Sequence, residues 1–239
     1  MTDLHTHILP GMDDGARNAD ESLAMLRMER DQGVTAVVLT PHFYCERESV
    51  QHFLKRREKA FQILNARLSE LDAQERNSLP RMILGAEVAW RPELYECGEL
   101  TSLCIGDTKN ILLEFPFISW SSRMFNHLYD QIGQTGIIPV IAHLERYMKL
   151  QRREQLAEVF ELGVPVQISA GVLMHPLARG NAMKLLKKKQ AHILVSDCHN
   201  CTGRPPNIGA GMQVVRRKLG ERYVQAMEQS ANELAGLLG

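Results

Sequence analysis

Short apolar runs alternate with longer amphipathic stretches along the chain, a pattern of strand followed by helix. The runs at residues 1–4, 34–39, 82–88, 110–115, 137–142, 164–169 and 192–196 predict strands. Several of these runs are apolar without interruption, which suits parallel strands buried on both faces. Between the first two, Asn18 is placed to cap a helix with Glu21 three positions on, and Gly33 to end it in a left-handed conformation. Leu23 and Leu26 give that helix one apolar face. Over residues 49–71, Val50, Phe53, Leu54, Phe61, Leu64, Leu68 and Leu71 recur at helical spacing and predict a long amphipathic crossover. Further helices are expected over 121–134, 153–162, 176–189 and 209–219. Strands joined by such crossovers predict a barrel related to the TIM fold, closed or partly open, with an open doubly wound sheet as the rival. No repeat, low-complexity tract or linker interrupts the alternation, so one domain over residues 1–239 is expected.

Composition narrows this picture. With 44% hydrophobic and 23% charged residues the chain falls in the ordinary globular range. Its 28 basic residues balance 28 acidic ones, so no global field draws it to nucleic acid or to an anionic membrane. The opening MTDLHTHILPG lacks the charged flank and apolar stretch of a signal peptide, and no later run reaches membrane-spanning length. A cytoplasmic protein without membrane insertion is the expectation. Five irregularly spaced cysteines do not make a disulfide framework and are expected as thiols.

In a parallel barrel the chemistry collects at the carboxyl ends of the strands. Here those ends are rich in titratable residues. After the first strand come His5 and His7, then the acidic turn Gly11-Met12-Asp13-Asp14-Gly15. Residues two apart in an extended segment point the same way, so the two imidazoles can share one cation. The second strand ends at His42, the third at Glu87, the fourth at Glu114, the fifth at His143, Glu145 and Arg146, and the seventh at Asp197 and His199. Only the sixth end lacks a His, Asp or Glu. Imidazole nitrogen mixed with carboxylate oxygen suits manganese, iron or zinc, whereas a structural zinc site favours thiolates. Such a cluster can clamp a phosphoryl group and activate water near neutral pH.

Other residues are read structurally. His52 and His127 fall inside expected helices, His175 precedes Pro176, and His192 starts a strand. Lys55, Arg56, Arg57 and Lys59 are expected on the solvated face of the long crossover, Lys187, Lys188 and Lys189 at a helix end, and Met25 and Met28 in the core. The segment from Cys198 to Arg204 has the loop spacing of cysteine-dependent tyrosine phosphatases. That chemistry wants a low-pKa thiolate at a helix N-terminus. Pro205 and Pro206 instead remove donors where the helix would begin, so the motif is read as coincidence.

Taken together, residues 3–15 (DLHTHILPGMDDG), 40–42 (TPH), 85–88 (GAEV), 112–115 (LLEF), 141–147 (IAHLERY), 196–200 (SDCHN) and 203–206 (GRPP) resemble, in order and spacing, the PHP (polymerase and histidinol phosphatase) superfamily. The LPGMDDG turn, the HLERY block and GRPP resemble its bacterial metal-dependent protein-tyrosine phosphatase branch, encoded with capsule and exopolysaccharide genes.

The resemblance spans essentially the whole chain and implies a single-domain distorted TIM-like (β/α)7 barrel. It implies that His5, His7, Glu87 and Asp197 hold one metal, that Glu87 bridges to a second held by Glu114 and His143, and that Asp14, His42 and His199 hold a third, with Asp13 as a substitute for Asp14. Arg146 and Arg204 match the phosphate-binding arginines. Mn2+ is the metal implied first, with iron, zinc, cobalt or magnesium as alternatives. The implied reaction is in-line hydrolysis by metal-activated water without a phosphoenzyme. The implied substrate is a phosphotyrosine-containing protein, the tyrosine-rich tail of a bacterial tyrosine autokinase that controls polysaccharide synthesis; homo-oligomerisation is left open. Residues 43–49 are expected to contact substrate, and Cys198 to make activity sensitive to oxidation. A small-molecule enzyme such as histidinol phosphatase, and a silent scaffold, are the competing readings.

Overall fold

The strand ladders are parallel throughout, as the unbroken apolar runs require. The computed structural model describes residues 1–238. In chain order its first half contains β1 (Thr2–Thr6), α1 (Ala19–Asp31), β2 (Ala36–Leu39), β3 (His42–Phe43), α2 (Val50–Ser69), α3 (Ala73–Ser78), β4 (Arg81–Leu84), β5 (Glu87–Ala89) and β6 (Asn110–Glu114). Then follow α4 (Ser122–Thr135), β7 (Ile138–Ile141), α5 (Arg153–Glu161), β8 (Gln167–Ser169), α6 (Ala170–Met174), α7 (Arg179–Lys187), β9 (Ile193–Val195), α8 (Ile208–Leu219) and α9 (Glu221–Leu234). The result is a mixed α/β fold with parallel sheets.

Three ladders run β1-β2-β4, β3-β5-β6-β7 and β8-β9. Isolated bridges pair Ile141 with Val166 and Thr6 with Cys198, beside the ends of β7 and β9. One expected strand is divided, and beyond the end of another a separate short strand forms. Thr40-Pro41 separates β2 from β3, and Pro41 has no N–H to give a ladder. The expected 82–88 strand breaks at Gly85-Ala86, where a Cβ on Gly85 would sit 3.1 Å from Val38. Each break re-aims the ligand-bearing piece, His42 on β3 and Glu87 on β5.

Leu4, Val38, Ile83, Leu112, Val140, Ile193 and Val195, drawn from all three ladders, meet in one buried cluster with Ala231 and Ala235. Helix α9 therefore packs small residues against the strand interiors. It is tied there by Thr2 Oγ1 donating to Asn232 at 2.6 Å and by Asn110 Nδ2 donating to Leu234 O at 2.9 Å. A larger core lies between the strands and the other helices, with Leu23, Phe53, Leu64 and Val215 among its members.

Asn18 caps α1, accepting from Glu21 N–H at 3.0 Å, and Gly33 takes φ +83°. The Glu21 carboxylate reaches Arg17 N–H rather than the cap's own N–H, so the reciprocal box does not form. Three further expectations are corrected. Residues 176–189 give only α7, with α6 before it; α3 and α9 lie outside every expected helix; and Arg56 and Arg57 are not merely solvated. Arg56 donates to Met12 O at 2.7 Å and to Glu48, and Arg57 to Gly85 O at 2.7 Å and Ser102 O at 3.1 Å. The long crossover thus clamps both the acidic turn and the β4–β5 break. Met25 is in the core, while Met28 is only half-buried. No helix of the described residues is long and apolar enough to cross a membrane.

Candidate metal centre

His5 lies within β1 and points, with His7 just beyond it, into a buried hollow, as the period of an extended chain demands. Glu87 opens β5 at its centre. Its Oε2 lies 3.2 Å from His5 Nε2, 3.3 Å from His7 Nε2 and 3.0 Å from His42 Nδ1, and its Oε1 2.9 Å from His143 Nε2. His143 Nε2 is 3.5 Å from Glu114 Oε1 at the end of β6. On the outer side Asp14 Oδ1 stands 3.4 Å from both His42 Nε2 and His199 Nε2. Asp197 Oδ1 lies 3.6 Å from His5 Nε2 and 3.7 Å from His7 Nε2. Ligand atoms of His7, Asp14, His42 and His199, of His5, His7 and Glu87, and of His42, Glu87 and Glu114 each fall within 4.8 Å of one another.

The rings are held from behind. His5 Nδ1 faces Gln167 Oε1 at 3.2 Å, His7 Nδ1 faces Asp13 Oδ2 at 2.8 Å, and His199 Nδ1 faces the Asp197 carbonyl at 3.0 Å. Each partner is an acceptor, so each Nδ1 carries the proton and each Nε2 turns a lone pair inward. His5 Nε2 and His7 Nε2 then confront one another at 3.1 Å beside a carboxylate. Lone pairs so arranged are stable only around positive charge. The His199 Nε2, His42 Nδ1 and Glu87 Oε2 atoms are buried without an aligned hydrogen bond, which fits the same donor set closing on cations.

Electrostatics agrees. Burial by itself would raise Glu87, yet the His5 charge and contacts with His143, His42 and His5 hold its carboxyl well below the usual range. The centre therefore demands positive charge, from protonated imidazole or from a cation. Burial pushes His143 down to about 4, leaving the neutral, ligating form at pH 7. Burial and then the Glu87 charge lift Glu114 to about 6.

Asp13 and Asp14 do different work. Asp13 accepts from His7, from His42 N–H at 2.9 Å and from Gly15 N–H at 2.9 Å, whereas Asp14 is 65% exposed and aims at His42 and His199. Arg146 and Arg204 both close on Asp197, Arg204 at 2.9 Å. His143 and Asp197 adopt φ +28° and +53°, a strained backbone for non-glycine residues, both at the hollow.

The strand expected over 164–169, with no His, Asp or Glu at its end, is β8 and supplies Gln167 and Ser169. The first orients His5 and the second donates its N–H to half-buried Glu145 at 3.2 Å. Sequence reasoning missed both because neither is a metal ligand. Cys198 is fully buried, its Sγ donating to Glu29 at 3.7 Å, and burial followed by the Glu29 and Asp3 charges pushes its thiol well up. That is the reverse of a thiolate nucleophile, and burial also removes the expected route to oxidation. His192 Nδ1 accepts from Val166 N–H away from the hollow, whereas His52, paired with Glu48, lines a cavity at the hollow's outer edge. From the 43–49 segment, Tyr44, Arg47 and Glu48 line a cavity with Asp13, Asp14 and His42.

A family model described as capsular polysaccharide synthesis, CpsB/CapC, matches residues 1–234. The tyrosine-protein phosphatase YwqE of Bacillus subtilis is 31% identical, over 98% of this chain and 91% of its own length. The tyrosine-protein phosphatase CpsB of Streptococcus pneumoniae is 28% identical, over 95% and 94%. A crystal structure reported for YwqE and CpsB, described as unique metal-dependent tyrosine phosphatases, superposes with a TM-score of 0.82 at 26% identity, covering 100% of this chain and 96% of the other.

Proposed function

Because the chain belongs to the CpsB/CapC capsular polysaccharide synthesis family, we propose that it is a metal-dependent protein-tyrosine phosphatase. The observation that carries this reading is the inward-facing set of imidazole and carboxylate atoms around Glu87, with His5 and His7 lone pairs opposed at 3.1 Å. His5, His7, Glu87 and Asp197 would hold one cation, Glu87, Glu114 and His143 a second, and Asp14, His42 and His199 a third. Proximity alone groups His7 with the third set and His42 with Glu87 and Glu114, so these two rings lie where neighbouring sites meet. The mixture of nitrogen and oxygen donors, without thiolate, favours Mn2+ over a structural zinc. Bound cations supply Lewis acidity for activating water and neutralise charge on a phosphoryl group.

The chain's own groups do the rest. Arg146 and Arg204 sit side by side on Asp197 and, on turning from it, present two planar forks to the phosphate oxygens. A tyrosyl phenolate, with pKa near about 10, leaves without a strong general acid. The parallel ladders and the two bridges support reading the strands as staves of one distorted seven-stranded barrel, working as a single catalytic unit over residues 1–239. The substrate we propose is a phosphotyrosine-bearing polypeptide, the tail of a tyrosine autokinase of polysaccharide assembly.

Relatives named as tyrosine-protein phosphatases across nearly their full length decide against a histidinol phosphatase. The test is competition between substrates with manganese present. A phosphotyrosyl peptide is expected to exceed histidinol phosphate in kcat/KM by about 100-fold, or ~2.7 kcal/mol of transition-state binding; a preference for histidinol phosphate contradicts the reading.

A further inference from the structure

Beside the metal centre runs a groove of about 700 Å³ that no step above uses. Trp90 and Trp120 form its floor, and Phe117 and Ile118, 52% and 62% exposed, stand on its wall. Tyr44 and Glu114 belong both to this groove and to the edge of the metal centre: the Tyr44 ring lies 5.5 Å from the His42 ring, and Glu114 is 3.5 Å from His143 Nε2. On the facing side the Phe117 ring lies 6.4 Å from that of His143 and within 19° of parallel to it. Groove and metal centre are thus one continuous surface, polar where phosphate would sit and mostly apolar beyond, with Arg91, Glu93, Arg123 and His127 also on its lining.

Two large apolar side chains left in water at the mouth of a concave, aromatic-floored cleft mark a recognition surface. The occupant must connect to the group at the metals, because the two regions share residues. We propose that the groove binds the polypeptide flank of the substrate phosphotyrosine, taking an aliphatic or aromatic side chain next to it in sequence between Ile118, Phe117 and the two tryptophans. This rests on the phosphotyrosyl reading and adds to it a preference for an apolar neighbour. Flat aromatic walls suit side chains of varied shape, and burying one leucine-sized group is worth about tenfold or more in affinity.

The chain's two tryptophans both lie in this floor, so intrinsic emission reports directly on its occupancy. The experiment titrates manganese-loaded protein with two peptides carrying a hydrolysis-resistant phosphonate in place of phosphotyrosine, one flanked by leucine and one by glycine. Each titration is read by tryptophan emission and by calorimetry, with an Ile118→Asp variant in parallel. The expected result is at least about tenfold tighter binding of the leucine peptide, an emission change at saturation with that peptide, and collapse of the difference in Ile118→Asp. Equal affinities for the two peptides in the unsubstituted protein overturn the proposal. Turnover of free phosphotyrosine, measured separately, decides the phosphatase reading: positive turnover with equal peptide affinities removes the groove alone, and absent turnover removes the reading on which it rests.

Discussion

Individual side chains in the centre act by orienting others. Gln167 Oε1 fixes which nitrogen of His5 carries the proton, so Gln167→Leu leaves that N–H buried without an acceptor. Manganese affinity by calorimetry is expected to fall about 10- to 100-fold, and Gln167→Glu to retain most of it. Equal affinity in Gln167→Leu would show that His5 needs no such support. Beneath the centre, burial and then the Asp3 charge raise Glu29 well above the usual carboxylate range. A carboxyl with its folded pKa raised contributes full stability below its unfolded value near about 4.5 and loses it as pH rises through the folded value. Glu29→Gln keeps the neutral form at every pH, and its amide can donate to Asp3. The variant is expected to gain stability over the natural chain as pH rises above about 4.5 in urea melts; a gap that narrows with pH contradicts this. The ligand types were legible because His, Asp and Glu stood where apolar runs ended. Gln167, Arg56 and Arg57 were not, since a neutral amide and a guanidinium bonded to carbonyl oxygens look like ordinary polar surface in a one-dimensional pattern.

At the level of elements, the turn after β1 is the most constrained piece of backbone around the centre. A Cβ on Gly15 would lie 2.2 Å from His7 O and 2.6 Å from His7 Cβ, with no flexible side chain to yield. Gly15→Ala must therefore displace Asp13 and the His7 it orients. We expect a loss of about 2–3 kcal/mol in urea melts together with impaired manganese binding; unchanged stability and binding would mean that the turn relaxes freely. Helix α9 carries Ala231, 2% exposed, against strand interiors from every ladder. Ala231→Glu buries an unpaired charge there and should cost upward of about 3 kcal/mol, read as a lowered Tm. The strands were legible from their apolar runs, because two-faced burial removes polar residues from them. Helix α9 went unread although Val224, Met227 and Ala231 recur at helical spacing on its buried face, a stripe that was there in the sequence. The break in residues 82–88 also escaped, because Gly85 and Ala86 continue an apolar run while the ladder partner changes.

Across the whole molecule, the centre draws side chains from β1 and the turn after it, from β3, β5 and β6, and from the segments after β7 and β9. Cations held there would fasten segments far apart in the chain to one another and shift the folding equilibrium by mass action. At 100 times the dissociation constant, manganese should add about 2.7 kcal/mol to stability per site, and chelation should remove it. The order of the blocks, from the HxH opening to the closing Asp-x-His, makes this convergence readable in the sequence. The groove beside it is not, because Trp90 and Trp120 come from different segments and only the fold brings them to one floor. The most direct measurement of the central claim is phosphate release from a phosphotyrosyl peptide by chelator-treated protein titrated with manganese, alongside His5→Ala and Cys198→Ser. Activity restored by manganese, retained in Cys198→Ser and lost in His5→Ala is the predicted result; metal-independent activity abolished by Cys198→Ser would contradict it.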